Sequence, residues 1–98
     1  MYKSKLQTTE IDQLLKAVLS LESTEECYRF FEDICTASEL HSIAQRLQVA
    51  RMLREGTTYN LIAEKTGAST ATISRVNRSL RFGRDGYKLV LEKLDICG

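Results

Sequence analysis

Residues 66–78 read TGASTATISRVNR. The stretch is crowded with small hydroxylated residues and arginines, yet it sets Ile73 and Val76 three positions apart. A helix beginning near Thr70 turns about 100° per residue, so Ile73, Val76 and Leu80 share one stripe while Ala71, Ser74, Arg75 and Arg78 fall opposite. The first stripe suits a core. On the second, short side chains let the helix approach a surface closely, and arginines beside them match phosphate oxygens or a guanine edge in the major groove. Taken alone, the segment fits equally an ordinary amphipathic helix with a solvated polar face.

The preceding residues separate these alternatives. Tyr59 to Glu64 has the pattern of a short helix capped by Thr57 or Thr58, with Ile62 and Ala63 facing inward and Gly67 following in a turn. In a helix-turn-helix the two helices pass very close, which favours a small residue at the contact, here Ala63. The turn then needs a residue tolerant of positive φ, here Gly67. Ile73 and Val76 would lock the second helix against the first. Residues 57–81 are therefore predicted to form a DNA-binding helix-turn-helix, although helical hairpins that bind only protein share such short patterns. The expected DNA contacts are Ser69, Thr70, Ala71, Ser74, Arg75 and Arg78, with Tyr59 and Asn60 close to phosphates at the start of the preceding helix. Tyr59 also fits a packing aromatic, and Asn60 a solvated polar residue.

Charge is distributed accordingly. The net charge of +1 hides a marked asymmetry: residues 1–40 hold 4 Lys/Arg against 8 Asp/Glu, residues 41–88 hold 9 against 3, and residues 89–98 hold 1 against 2. The basic block coincides with the predicted helix-turn-helix, as an electrostatic footprint on double-stranded DNA requires. A chain of 98 residues has the size of one domain and buries a limited fraction of its surface unless it associates. No internal repeat, low-complexity tract or linker divides it.

Catalysis and metal binding find little support. Cys27, Cys35 and Cys97 form no CxxC pair, and Cys27 and Cys35 fall on the apolar side of a predicted helix, where a free cysteine behaves as a small hydrophobe. With His41 they make three scattered ligands without a fourth, so no metal and no cofactor are expected. The sequence has no phosphate-binding glycine loop and no nucleophile motif, and its single histidine leaves few general bases, so the chain is not expected to be an enzyme. No apolar run approaches the length of a signal or membrane segment, so the expected compartment is a reducing cytoplasm, with nucleoid association when bound to DNA and no membrane partner.

The sequence contains no proline, and no glycine before Gly56. An all-α chain of six helices is predicted. Thr9 can cap a first helix with the apolar stripe Ile11, Leu14, Leu15, Val18 and Leu19. Ser23 with Glu26 makes a capping box for a helix carrying Cys27, Phe30, Phe31 and Ile34, and Thr36 with Glu39 repeats it for a longer helix ending before Gly56. After Gly83, Asp85 can cap a last helix in which Tyr87, Val90, Leu91 and Leu94 face one way. The stripes on the first, second and last helices need covering, and a partner copy could supply it. Operators are commonly read by two-fold dimers, so one homodimer interface meets both demands, with residues 1–55 and 85–96 as its dimerisation helices. A compact monomer is the alternative.

The stretches TASELHSIAQRLQVARMLREG (36–56), YNLIAEKTGAS (59–69) and TATISRVNRSL (70–80) resemble the Trp repressor superfamily, in its YerC/YecD branch. The resemblance covers about half of the chain, and TISRVNRSL after a glycine-containing turn is its specific part. It implies an all-helical, interlocked dimer whose helix-turn-helix pairs project toward operator DNA, hence a sequence-specific transcriptional regulator, expected to be a repressor. The rival from another class is a helical adaptor that contacts protein without reading DNA.

The resemblance also implies an effector pocket. The Trp repressor holds tryptophan between core and recognition helix, flanking the indole with two arginines, and Arg46 and Arg75 match those positions. Thr36, Thr72 and Ser79 match neighbouring polar residues of that pocket. Val76, however, stands where the repressor has glycine, and a branched side chain there intrudes on the ring's space. Regulation by tryptophan is therefore not expected, and a different small-molecule effector stays open. Arg46 fits equally a surface cation paired with a carboxylate, and Thr36 a simple N-cap.

Overall fold

The computed structural model describes residues 2–97, with Ile96 and Cys97 described by backbone alone. Six helices follow in order: α1 (Thr9–Leu19), α2 (Thr24–Ile34), α3 (Ala37–Arg54), α4 (Tyr59–Thr66), α5 (Thr70–Phe82) and α6 (Gly86–Cys97). The described residues contain no strand. The chain divides into two compact units, Met1–Ala37 and Ser38–Gly98.

The first unit holds α1 and α2. Thr8, not Thr9, caps α1: its backbone is extended and its hydroxyl accepts from the Ile11 N–H at 3.1 Å. Two adjacent threonines offer the same side chain, and with either as the cap Glu10 and Asp12 stand near the helix start, where the dipole favours carboxylates. Ser23 caps α2 as expected, accepting from the Glu26 N–H at 3.1 Å. The return bond of the capping box shifts by one residue, because the Glu26 carboxylate accepts from the N–H of Glu22. Neither helix buries a residue. Along the apolar stripe of α1, Leu15 is 53% and Leu19 84% exposed. Cys27 and Cys35 are free and half-buried.

The second unit contains the core. Val49, Ala50 and Leu53 of α3, Ile62 of α4, Ala68 of the turn, Ile73, Val76 and Leu80 of α5, and Leu91 of α6 form one buried cluster. Every buried side chain among the described residues is apolar, so no buried polar group has to find a partner. The stripe predicted for α5 is thus the buried one. In α6 the predicted face reaches the core through Leu91 alone, with Tyr87 half-buried at its edge. Val90 and Leu94 remain exposed, since that stripe is wider than the cluster it meets. Arg54 Nη1 lies 2.8 Å from the Asp95 carboxylate and ties α3 to α6.

Two glycines set the chain's path at α5. Gly67 ends α4 with φ of 74°, in the left-handed region, and its N–H donates to the Ala63 carbonyl at 2.9 Å; glycine takes that conformation without the Cβ penalty of other residues. Gly83 ends α5 with its N–H on the Ser79 carbonyl, and a Cβ there would collide with that same oxygen. Asp85, expected to cap α6, precedes it, but at φ of 63° rather than in the extended conformation of an ordinary cap. Its carbonyl accepts from the Leu89 N–H, while its carboxylate lies 3.8 Å from Lys88 Nζ.

Ile73 is fully buried, so Ile73→Ala should destabilise the fold by about 2–5 kcal/mol, read from urea or thermal denaturation followed by circular dichroism.

Candidate nucleic-acid interface and adjoining cleft

The helix-turn-helix is held by local bonds. Thr58, the second of the two threonines considered, caps α4 by accepting from the Leu61 N–H at 3.3 Å. Tyr59 and Asn60 occupy the first turn and are exposed. At the other end of α4, the Thr66 hydroxyl donates to the Ile62 carbonyl at 2.7 Å and accepts from the Ala68 N–H at 3.1 Å. It thereby fastens the turn across Gly67. Gln45 of α3 donates to the Thr66 carbonyl at 3.1 Å, so the turn is braced from the third helix as well.

Ser69 opens α5 as its N-cap, accepting from the Thr72 N–H at 3.1 Å and donating to the Thr72 hydroxyl at 3.0 Å. Of the predicted DNA contacts, Ser69 is therefore the one whose hydroxyl already holds the helix start. Thr70, Ala71, Ser74, Arg75 and Arg78 are exposed, on the side of α5 away from Ile73, Val76 and Leu80.

The ion pairs among the described residues are Arg29 with Glu25, Arg54 with Asp95 and Lys88 with Asp85. Arg46, Arg75, Arg78, Arg81 and Arg84 have no carboxylate partner within the described chain. Arg81 Nε instead donates to Asn77 Oδ1 at 3.3 Å. An outward face with small side chains and uncompensated guanidinium groups can bind an anionic polymer.

Beside this face, α3, α5 and α6 enclose a cleft of about 260 Å³. Arg46, Thr72, Arg75, Val76 and Ser79, all matched to an effector pocket in the sequence, line it together. Thr36 belongs to the other unit and immediately precedes α3. Ser42, Gln45 and Tyr87 also line the cleft and were not anticipated. Ser42 lies one helical turn before Arg46, so the helical period could have found it; nothing in the sequence marked Tyr87, which arrives from α6. Val76 has two environments, since it is 3% exposed within the core cluster and also forms part of the cleft wall.

Residues 9–95 match the family model described as Trp repressor protein. The chain belongs to the Trp repressor family. The uncharacterized protein YerC of Bacillus subtilis (strain 168) is 59% identical over 90 residues, which cover 92% of this chain and 86% of YerC. A crystal structure of a TrpR-like protein from Eubacterium eligens superposes with a TM-score of 0.90 at 60% identity, covering 93% of this chain and 94% of that one. A Trp repressor candidate from Staphylococcus aureus superposes with a TM-score of 0.89 at 52% identity, covering 94% and 92% of the two chains. Likeness to the family thus runs from α1 into α6, well beyond the motifs of residues 36–80.

Proposed function

We propose that this chain is a sequence-specific DNA-binding transcriptional regulator, acting as a repressor. Residues 57–81 present Ser69, Thr70, Ala71, Ser74, Arg75 and Arg78, with Tyr59 and Asn60, to operator DNA. The observation that carries the proposal is the outward face of α5, where small side chains and arginines without carboxylate partners stand opposite a fully apolar buried stripe. Family membership supports it. Binding rather than catalysis is the chemistry assigned to these residues, and the cytoplasm is the compartment proposed. The described helices include none long and apolar enough to cross a membrane.

The working unit is a homodimer, in which residues 1–55 and 85–96 supply the subunit contacts. Two helices without a buried residue, α1 and α2, and the exposed Leu89, Val90 and Leu94 of α6 support it. Apolar faces of this width are rarely left to water. The cleft beside α5 is open to a small-molecule effector other than tryptophan, or to none. Val76 forms part of its wall and, packed in the core with Ile73 and Leu80, cannot retreat without disturbing them, so overpacking opposes an inserted indole.

DNA affinity should fall steeply and log-linearly with salt. An apolar contact with a protein partner would not weaken in this way, and a flat salt response would favour the helical adaptor. Arg78→Ala should leave helicity and melting temperature nearly unchanged. If Arg78 reads a guanine, the variant loses about 1–3 kcal/mol at one base position, whereas a phosphate contact weakens all sequences alike and lowers the salt slope by about 1. Equal affinity of variant and wild type at several salt concentrations removes Arg78 from the interface. In sedimentation, the protein should run as a dimer at micromolar concentration, and Leu15→Asp should disrupt assembly by placing an unpaired charge in the shared interface. Calorimetric titration with tryptophan should give no micromolar binding and no change in operator affinity; tight binding coupled to higher affinity would restore tryptophan as the effector.

A further inference from the structure

Phe82, the last residue of α5, is the most exposed large apolar side chain among the described residues, at 86%. At 100° per residue, Ala71, Arg75, Arg78 and Phe82 fall within an arc of about 60° and span about 16 Å along the helix axis. This row lies opposite the buried Ile73, Val76 and Leu80. No packing of the α5 stripe against a core can therefore reach the ring.

The surroundings of Phe82 differ from those of the other exposed apolar residues. Leu15 and Leu19 of α1, or Val90 and Leu94 of α6, sit on stripes of like neighbours that another apolar helix could cover. Phe82 shares its face with an alanine and two arginines, with Arg81 before it and Arg84 two residues beyond. Arg75, Arg78, Arg81 and Arg84 are all exposed and lack carboxylate partners within the described chain. Arg84 also lines a cavity with Ile43, Leu47 and Val90, so the guanidinium groups that a cover over this ring must neutralise are those of Arg75 and Arg78, which share its face. An apolar protein surface would leave them desolvated and unpaired, at a high energetic cost. Duplex DNA supplies phosphates for the arginines and, in the thymine methyl, an apolar group that phenylalanine contacts.

We infer that Phe82 is a DNA-contacting residue that extends the proposed recognition face beyond the helix-turn-helix and packs against a thymine methyl at the flank of the bound site. The inference rests on the DNA-binding function proposed above.

The probe is a duplex selected from a random-sequence pool by the wild-type protein. Phe82→Ala should weaken its binding at least about fourfold, the effect of exposing one buried methyl-sized group. Melting temperature and sedimentation should not change, because the ring is exposed in the folded chain. The salt slope should also hold, because no charge is removed. Replacing thymine with deoxyuridine at the flanking positions removes only the methyl, and should weaken the wild type while leaving Phe82→Ala unaffected. Equal affinity of variant and wild type overturns the inference. So does a loss of affinity accompanied by altered sedimentation, which would assign the ring to a contact between protein chains. So does a loss that is independent of the thymine methyl. Failure of the wild type to select any sequence would overturn the DNA-binding proposal itself, and would be seen before Phe82 is varied.

Discussion

Burial of Ile73, Val76 and Leu80 is the contact on which the rest of the second unit depends. These residues meet Val49 and Leu53 of α3, Ile62 of α4 and Leu91 of α6 in one cluster, so all four helices are referred to the same stripe. The contact also sets the rotation of α5 about its axis. Turning the helix by one residue, about 100°, would bring an arginine or a serine toward the core. An unpaired guanidinium there is far costlier than a displaced valine. The outward direction of Arg75 and Arg78 thus follows from what is buried behind them.

The turn between α4 and α5 converts that rotation into a presented surface. Gly67 supplies the positive φ, Thr66 bonds on both sides of it, and Ser69 satisfies the first amides of α5. Gln45 braces the same turn from α3. These are short-range bonds to backbone groups that a helix end would otherwise leave unpaired. They use serine, threonine and glutamine, so the turn is fastened without a charged side chain.

Much of this could be read along the chain. The caps at Ser23 and Thr58, the glycine at 67 and the three-residue stripe of α5 are local signals, and each corresponds to a feature of the structure. Local ambiguity explains the small departures. Thr8 and Thr9 offer identical caps, and Glu26 bonds one residue earlier than a standard capping box. The larger departures are tertiary. In α6, periodicity identified a face but could not say that only Leu91 would find a core within the chain. Tyr87 reached the cleft for reasons that no short pattern contains.

The amino-acid sequence by itself determined the helices, their order, the buried side of α5 and the concentration of positive charge on its second half, since all of these depend on neighbours within a few residues. It also carried the family resemblance. Tertiary structure decided which side chains meet. The cleft draws Ser42, Gln45 and Arg46 from α3, Thr72, Arg75, Val76 and Ser79 from α5, and Tyr87 from α6, across a separation of more than forty residues. Its lining depends on the angles at which three helices share one core, and those angles are set by side-chain packing at Val49, Ile62 and Ile73 rather than by the period of any single helix.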